Sequence, residues 1–288
     1  SHSDYKENDT RLRDPFSDLD YDEYRAIRTK PEPLGLERDG FAIDLLPPGL
    51  VHDDPVDIAI TGPDGTQDIP FSLDRFDFDP NFFKPDAIAK TKDGFKPDDM
   101  HYSGFRLRNR INRPDVRDEF AVFQGASYFR AVARGMIYGL SARGLAIRTA
   151  DARGEEFPIF RKFWIETPKA GAREIIVRAL LDSPSCAGAF EFGITPGETT
   201  IMQTRCTLFP RDKIDQIGVA PLTSMYFFGP ERRSGIDDFR DAVHDSSGLQ
   251  MITGEGRRLW RQLLLLWQLL LRLLLLLLLC ERRLLWHY

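Results

Sequence analysis

Arginines, carboxylates and aromatic rings are the chemically capable residues of this chain. Arg143 stands beside Gly144 and can clamp a sugar hydroxyl or a carboxylate, or serve a structural ion pair such as Arg143–Asp182. Tyr128 and Tyr138 flank glycine-rich turns, which places them to face a cleft. His244-Asp245-Ser246-Ser247-Gly248 is a polar run in which Asp245 is suited to capping a turn and His244 to a hydrogen-bonded loop position. Glu155-Glu156 reads as a solvated loop pair, and Trp164, in an alternating segment, as core rather than sugar platform. Aromatic faces stack on pyranose rings, while arginines and carboxylates bind hydroxyls. The inventory is therefore that of sugar recognition, although most rings of a β protein simply fill its core.

Other chemistries lack their signatures. The chain has no phosphate-cradling G-x-x-x-x-G-K-[ST] loop, no G-x-G-x-x-G and no G-x-S-x-G, which excludes nucleotide-dependent chemistry and a serine-hydrolase elbow. Cys186, Cys206 and Cys280 are too few and scattered for a zinc site or a disulfide scaffold, and nothing in the Cys186 to Cys206 spacing demands a bond. The five histidines show no metal-ligand spacing, so neither metal nor other cofactor is expected. A formal charge of −5 without a basic cluster argues against nucleic acid as a partner.

These residues need a scaffold, and its period is two. Phe41–Leu45 is a short apolar strand. Val56–Ile60 alternates into the turn Gly62-Pro63-Asp64-Gly65, and Ile69, Phe71, Leu73, Phe76 and Phe78 continue as the return strand of a hairpin. Further strands are expected at Phe105–Ile111, Glu119–Phe123, Leu145–Thr149, Arg161–Thr167, Ile175–Leu181, Phe190–Thr195, Thr200–Leu208 and Met225–Phe228. One short helix is expected over roughly 18–28, where Ser17 to Asp20 has capping-box spacing, and no amphipathic helix of 12 or more residues precedes residue 262. Many short strands punctuated by 22 Gly and 19 Pro predict an all-β antiparallel sandwich.

Seven ordered strings go beyond composition. They are Gly125-Ala126-Ser127-Tyr128-Phe129-Arg130, Tyr138 to Ile147, Glu155-Glu156-Phe157-Pro158, Phe163-Trp164-Ile165-Glu166, Leu180-Leu181-Asp182-Ser183, Gly218 to Met225, and His244-Asp245-Ser246. In this order the chain resembles the bacterial periplasmic osmoregulated-glucan biosynthesis proteins of the G and D type, from about Phe16 to Arg261. The resemblance implies a periplasmic protein whose partner is β-1,2-glucan. It also implies a large sandwich of the galactose-mutarotase-like type followed by a small immunoglobulin-like domain. D-type members look like inverting β-1,2-glucanases, and the resemblance gives Asp245 the task of activating a water. Tyr128, Tyr138, Arg143, Asp182, His244 and Ser246 become candidate substrate contacts. The proton donor of that pattern lies in a Thr/Gly-Glu-Thr-x-Asp-Asn string, which this sequence does not contain.

After Trp260-Arg261 the pattern would continue Pro-Leu-Asn-Asn-Pro, but Gln262-Leu263-Leu264 follows. Residues 263–280 hold 14 Leu among 18 positions. Such a run favours a bilayer by about −7 kcal/mol, against roughly +2.5 for Arg272. A membrane helix, a helix laid on an open sheet edge and an out-of-frame reading are the three explanations, and the abrupt change favours the last. The expected organisation is a disordered lead-in over 1–14, an incomplete sandwich over 15–261, and a Leu-rich tail of doubtful origin over 262–288, in a form cut at both ends.

Overall fold

Alternation decides the architecture. In Ile175–Asp182 the side chains of Ile175, Val177, Ala179 and Leu181 are buried, while Arg178 and Leu180 face out. The computed structural model describes residues 5–7, 11–31, 34, 40–96, 100–137, 139–223, 226–230, 233, 235–245 and 247–262. The chain divides into two compact units. The first comprises residues 1–137 and 141–222, and the second 138–140 and 223–288.

In the first unit, α1 (Tyr21–Arg25), β1 (Ile27–Thr29), β2 (Ala42–Leu46), β3 (Asp57–Gly62), β4 (Gly65–Asp68) and β5 (Phe76–Phe78) come first, followed by α2 (Pro85–Gly94). Then come β6 (Gly104–Arg113), β7 (Val116–Gln124), β8 (Tyr128–Ala131), β9 (Ser141–Arg143), β10 (Leu145–Ile147), β11 (Ile159–Glu166), β12 (Ile175–Asp182), β13 (Cys186–Thr195), β14 (Ile201–Pro210) and β15 (Ile217–Val219). The unit ends within β16 (Leu222–Thr223). One sheet has the order β14-β13-β12-β11-β3-β4 and the other β16-β9-β8-β7-β6-β2. From β14 to β4 and from β9 to β2 the ladders are antiparallel except that β3 joins β11 in parallel, Ile58 opposite Phe163.

Phenylalanine rings join the two sheets. Phe105 meets Phe163 at 5.0 Å edge-on, and Phe123 meets Phe163 at 5.4 Å and Phe192 at 5.1 Å. These edge contacts add about 0.5–1.5 kcal/mol per pair beyond burial. The result is the expected all-β sandwich. The second unit contains the antiparallel pairs β17 (Tyr226–Phe228) with β18 (Val243–His244), and β19 (Gly248–Ile252) with β20 (Arg258–Gln262).

Several expectations need correction. The helix spans only Tyr21–Arg25, and its box is formed by Asp20 with Glu23; Ser17 instead donates to Asp14. The hairpin after Gly65 stops at Asp68, because Pro70 has no N–H for the ladder, and Phe76–Phe78 pairs with β1 instead. The sequence reading missed α2, although Pro85 stands at its first turn. Trp164 lies on the outward face of β11, half-buried, with the Lys162 ammonium 5.6 Å from its ring centroid. Cys186 is buried but Cys206 is exposed on β14, and both are free thiols. Among the described residues no helix is long and apolar enough to cross a membrane. Met225 and residues 263–280 lie outside the described residues.

Candidate functional site

The turn Gly125 to Ser127 is the local organiser. Gly125 and Ala126 both have positive φ, 75° and 41°, and the turn closes with the Tyr128 N–H on the Gly125 carbonyl at 2.9 Å. Its other groups are tied to distant elements. Ala126 donates to Asp54 Oδ2 (3.0 Å) and accepts from the Phe160 N–H (3.0 Å), and Ser127 accepts from the Gly144 N–H (2.9 Å). β8 leaves this turn and pairs with β9, which sets Tyr128 directly opposite Arg143.

Arg143 is 6% exposed. Its guanidinium lies 5.8 Å from the Tyr128 ring centroid and 5.1 Å from that of Phe157, so two rings flank it. Nη1 donates to Glu155 Oε1 at 2.5 Å, and the Thr149 hydroxyl donates to the same oxygen at 3.2 Å. Phe157 is 50% exposed and carries the aromatic surface outward. The arrangement joins a fixed charge, a half-open ring and a carboxylate, a set that can grip a polyhydroxylated ligand by stacking and hydrogen bonding.

The partner of Arg143 is therefore Glu155, not Asp182. Asp182 sits at the end of β12, between Arg211 (2.8 Å) and Arg161 (3.4 Å). Nor is Glu155-Glu156 a solvated pair. Glu156 is buried, accepts from the Ser185 N–H (2.9 Å) and hydroxyl (2.7 Å), and lies 3.5 Å from Arg148. Burial pushes its carboxyl up, but the Ser185 and Ser183 hydrogen bonds and the charge of Arg148 outweigh that and hold it below the usual range. The string Glu155-Glu156-Phe157-Pro158 carried one signal of this: a charged pair running straight into an apolar pair.

Of the other candidates, His244 and Asp245 belong to the second unit. The Nδ1 of His244 is 3.1 Å from the Phe228 carbonyl and its Nε2 is 3.3 Å from the Ser247 hydroxyl, so it is hydrogen-bonded as expected, though on β18 rather than in a loop. Asp245 follows β18, half-buried. Tyr138 and Ser246 lie outside the described residues.

Sequence reading missed His52 and Asp54, which back the turn. Burial lowers the His52 imidazole, against the opposing charges of Asp53 and Asp54. Burial and the charge of Asp53 raise the Asp54 carboxyl, against the Ala126 N–H and the charges of Arg161 and His52. A carboxyl raised in the fold costs stability as pH climbs from its ordinary 3.8 through the folded value. Asp54→Asn keeps an oxygen for the Ala126 N–H without the charge. It should raise Tm at pH 7, with the gain vanishing in melts below pH ~3.8. A gain that persists there would show that charge is not the cause.

The fold and site define a class: a Phe-cored β-sandwich with a buried, ring-flanked arginine one strand in from the edge of its sheet. Residues 1–266 match the family described as periplasmic glucan biosynthesis protein, MdoG, and the chain belongs to that family. It is 46% identical over 258 residues to a glucans biosynthesis protein G of Vibrio cholerae, covering 88% of this chain and 46% of the relative. A protein of the same name from Bradyrhizobium diazoefficiens is 43% identical, with 88% and 49% covered. Another from Rhodopseudomonas palustris is 44% identical over 262 residues, with 90% and 50% covered. The chain thus spans about half the length of the curated relatives it matches.

Proposed function

We propose that the chain works in the periplasm and binds β-1,2-glucan in the making or remodelling of that polymer. The observation that carries this reading is the half-exposed Phe157 ring with the buried Arg143 guanidinium 5.1 Å from its centroid and Glu155 alongside. An aromatic platform beside fixed polar groups is how proteins hold pyranose rings without a cofactor. Membership of the periplasmic glucan biosynthesis family, and relatives named for glucan biosynthesis, support a role in glucan biosynthesis and leave the β-1,2 linkage as part of the proposal.

Binding is the step for which the Arg143 surface supplies the groups. Inversion requires an acid and a base, with carboxyl groups about 6.5–9.5 Å apart around a water. Asp245 is the proposed base side, by resemblance to inverting β-1,2-glucanases. Holding the glucan during branching or export needs no such pair.

Calorimetric titration of the full chain tests the reading. β-1,2-linked oligosaccharides should bind in preference to β-1,4-linked ones, and incubation should release no reducing sugar. Equal affinity for both linkages would remove the substrate assignment, and turnover would show that a proton donor is present.

A further inference from the structure

The outer face of the second sheet carries a groove whose residues are not those of the Arg143 site. Ile43, Leu45, Phe105 and Leu107 enter the core, so the alternate residues Asp44, Arg106 and Arg108 turn to the other face. Together with α1 and β1 they enclose a cavity of about 510 Å³ lined by Tyr24, Arg25, Arg28, Asp44, Arg106 and Arg108 among others. That volume suits a small ligand.

The lining sets four guanidiniums against one carboxylate. Asp44, 3% exposed, accepts from Arg106 Nε at 2.7 Å and lies 3.1 Å from Arg108 Nη2. One carboxylate holding two guanidiniums orients both and leaves a positive charge over. Glu119 lies 3.9 Å from Arg106 but is engaged by Arg130 at 2.8 Å. Arg25 and Arg28 are exposed, and among the described residues no carboxylate pairs with them. Asp20 and Glu23 are occupied in the capping box, and Asp77, opposite Arg28 across the β1–β5 pair, lies 3.4 Å from Lys30.

Hydroxyls that would suit a neutral sugar are already used. Tyr24 Oη donates to the Pro47 carbonyl (3.1 Å) and accepts from Gln124 Nε2 (3.0 Å), and Thr29 Oγ1 donates to the Leu45 carbonyl (2.6 Å). The walls therefore offer chiefly guanidinium N–H donors, whose planar forks match an oxyanion. We propose that this groove binds a phosphate-class oxyanion, free or carried on a sugar. The proposal goes beyond the glucan reading and does not depend on it.

The full chain is titrated calorimetrically with inorganic phosphate, glucose 6-phosphate and glucose at low salt. Both phosphates should bind, glucose should give no heat, and affinity should fall as salt rises. Tighter binding of glucose 6-phosphate assigns a sugar-borne anion, and tighter inorganic phosphate assigns the free ion. Arg25→Ala with Arg28→Ala should weaken binding about 10- to 100-fold. Its melting curve should match the parent's, and Arg178→Ala, on the first sheet, should bind as the parent does. Silence from both phosphates, glucose bound as tightly as phosphate, or unchanged affinity in the double variant overturns the proposal.

Discussion

Gly104→Ala should destabilise the sandwich by about 4 kcal/mol or more, lowering Tm by ~8–16 °C or abolishing folding. Gly104 opens β6 opposite Gln124 of β7 and Leu46 of β2, with φ at +153°. A Cβ there would lie 2.0 Å from the Phe123 carbonyl oxygen and 2.9 Å from Gln124 Cα. Both obstacles are backbone of a central strand, so no rotamer change relieves the overlap. Only separating β6 from β7 would, and that would disturb the Phe105–Phe123 stack at 5.1 Å. Gly94→Ala, where nothing lies within 4 Å, is the control and should be neutral or slightly stabilising. Urea melts of the pair give the comparison. Equal stability of Gly104→Ala and the parent would mean that β6 and β7 are not paired in this register.

Glu155→Ala should cost about 2–4 kcal/mol, because it leaves the Arg143 charge buried without its partner. The side chains are 7% exposed for Arg143 and 20% for Glu155, so screening softens the loss only in part. Replacing both partners, Arg143→Met with Glu155→Leu, should recover most of that loss, since an apolar pair pays no desolvation. The sign of the double-variant difference is the informative quantity in urea melts. A double variant no better than Glu155→Ala would show that Glu155 matters through Thr149 or packing rather than through the guanidinium.

What was legible in the sequence was whatever the strand period encodes. Ile175, Val177, Ala179 and Leu181 alternate, and their strand was expected within one residue of its observed end. The same arithmetic found β6, β7, β11 and β14. It failed where one residue overrides the period. Pro70 cuts the ladder after Asp68, so the alternation from Ile69 to Phe78 is shared between a loop, a 3-10 turn and β5. It also failed for charges, because partners are chosen in space. Arg143 meets Glu155, 12 residues on, while Asp182 is taken by Arg161 and Arg211. Asp44 inside an apolar strand was a visible anomaly, and its explanation lies 62 residues away at Arg106.

The central claim is that the Phe157 and Arg143 surface receives the glucan. Titration of Phe157→Ala with β-1,2-linked oligosaccharide tests it most directly. Phe157 is 50% exposed, so its truncation should leave the melting curve nearly unchanged. Loss of one stacking face should weaken binding about tenfold, the effect of roughly 1.4 kcal/mol. An affinity equal to the parent's, in a folded Phe157→Ala chain, would place the glucan elsewhere and contradict the account.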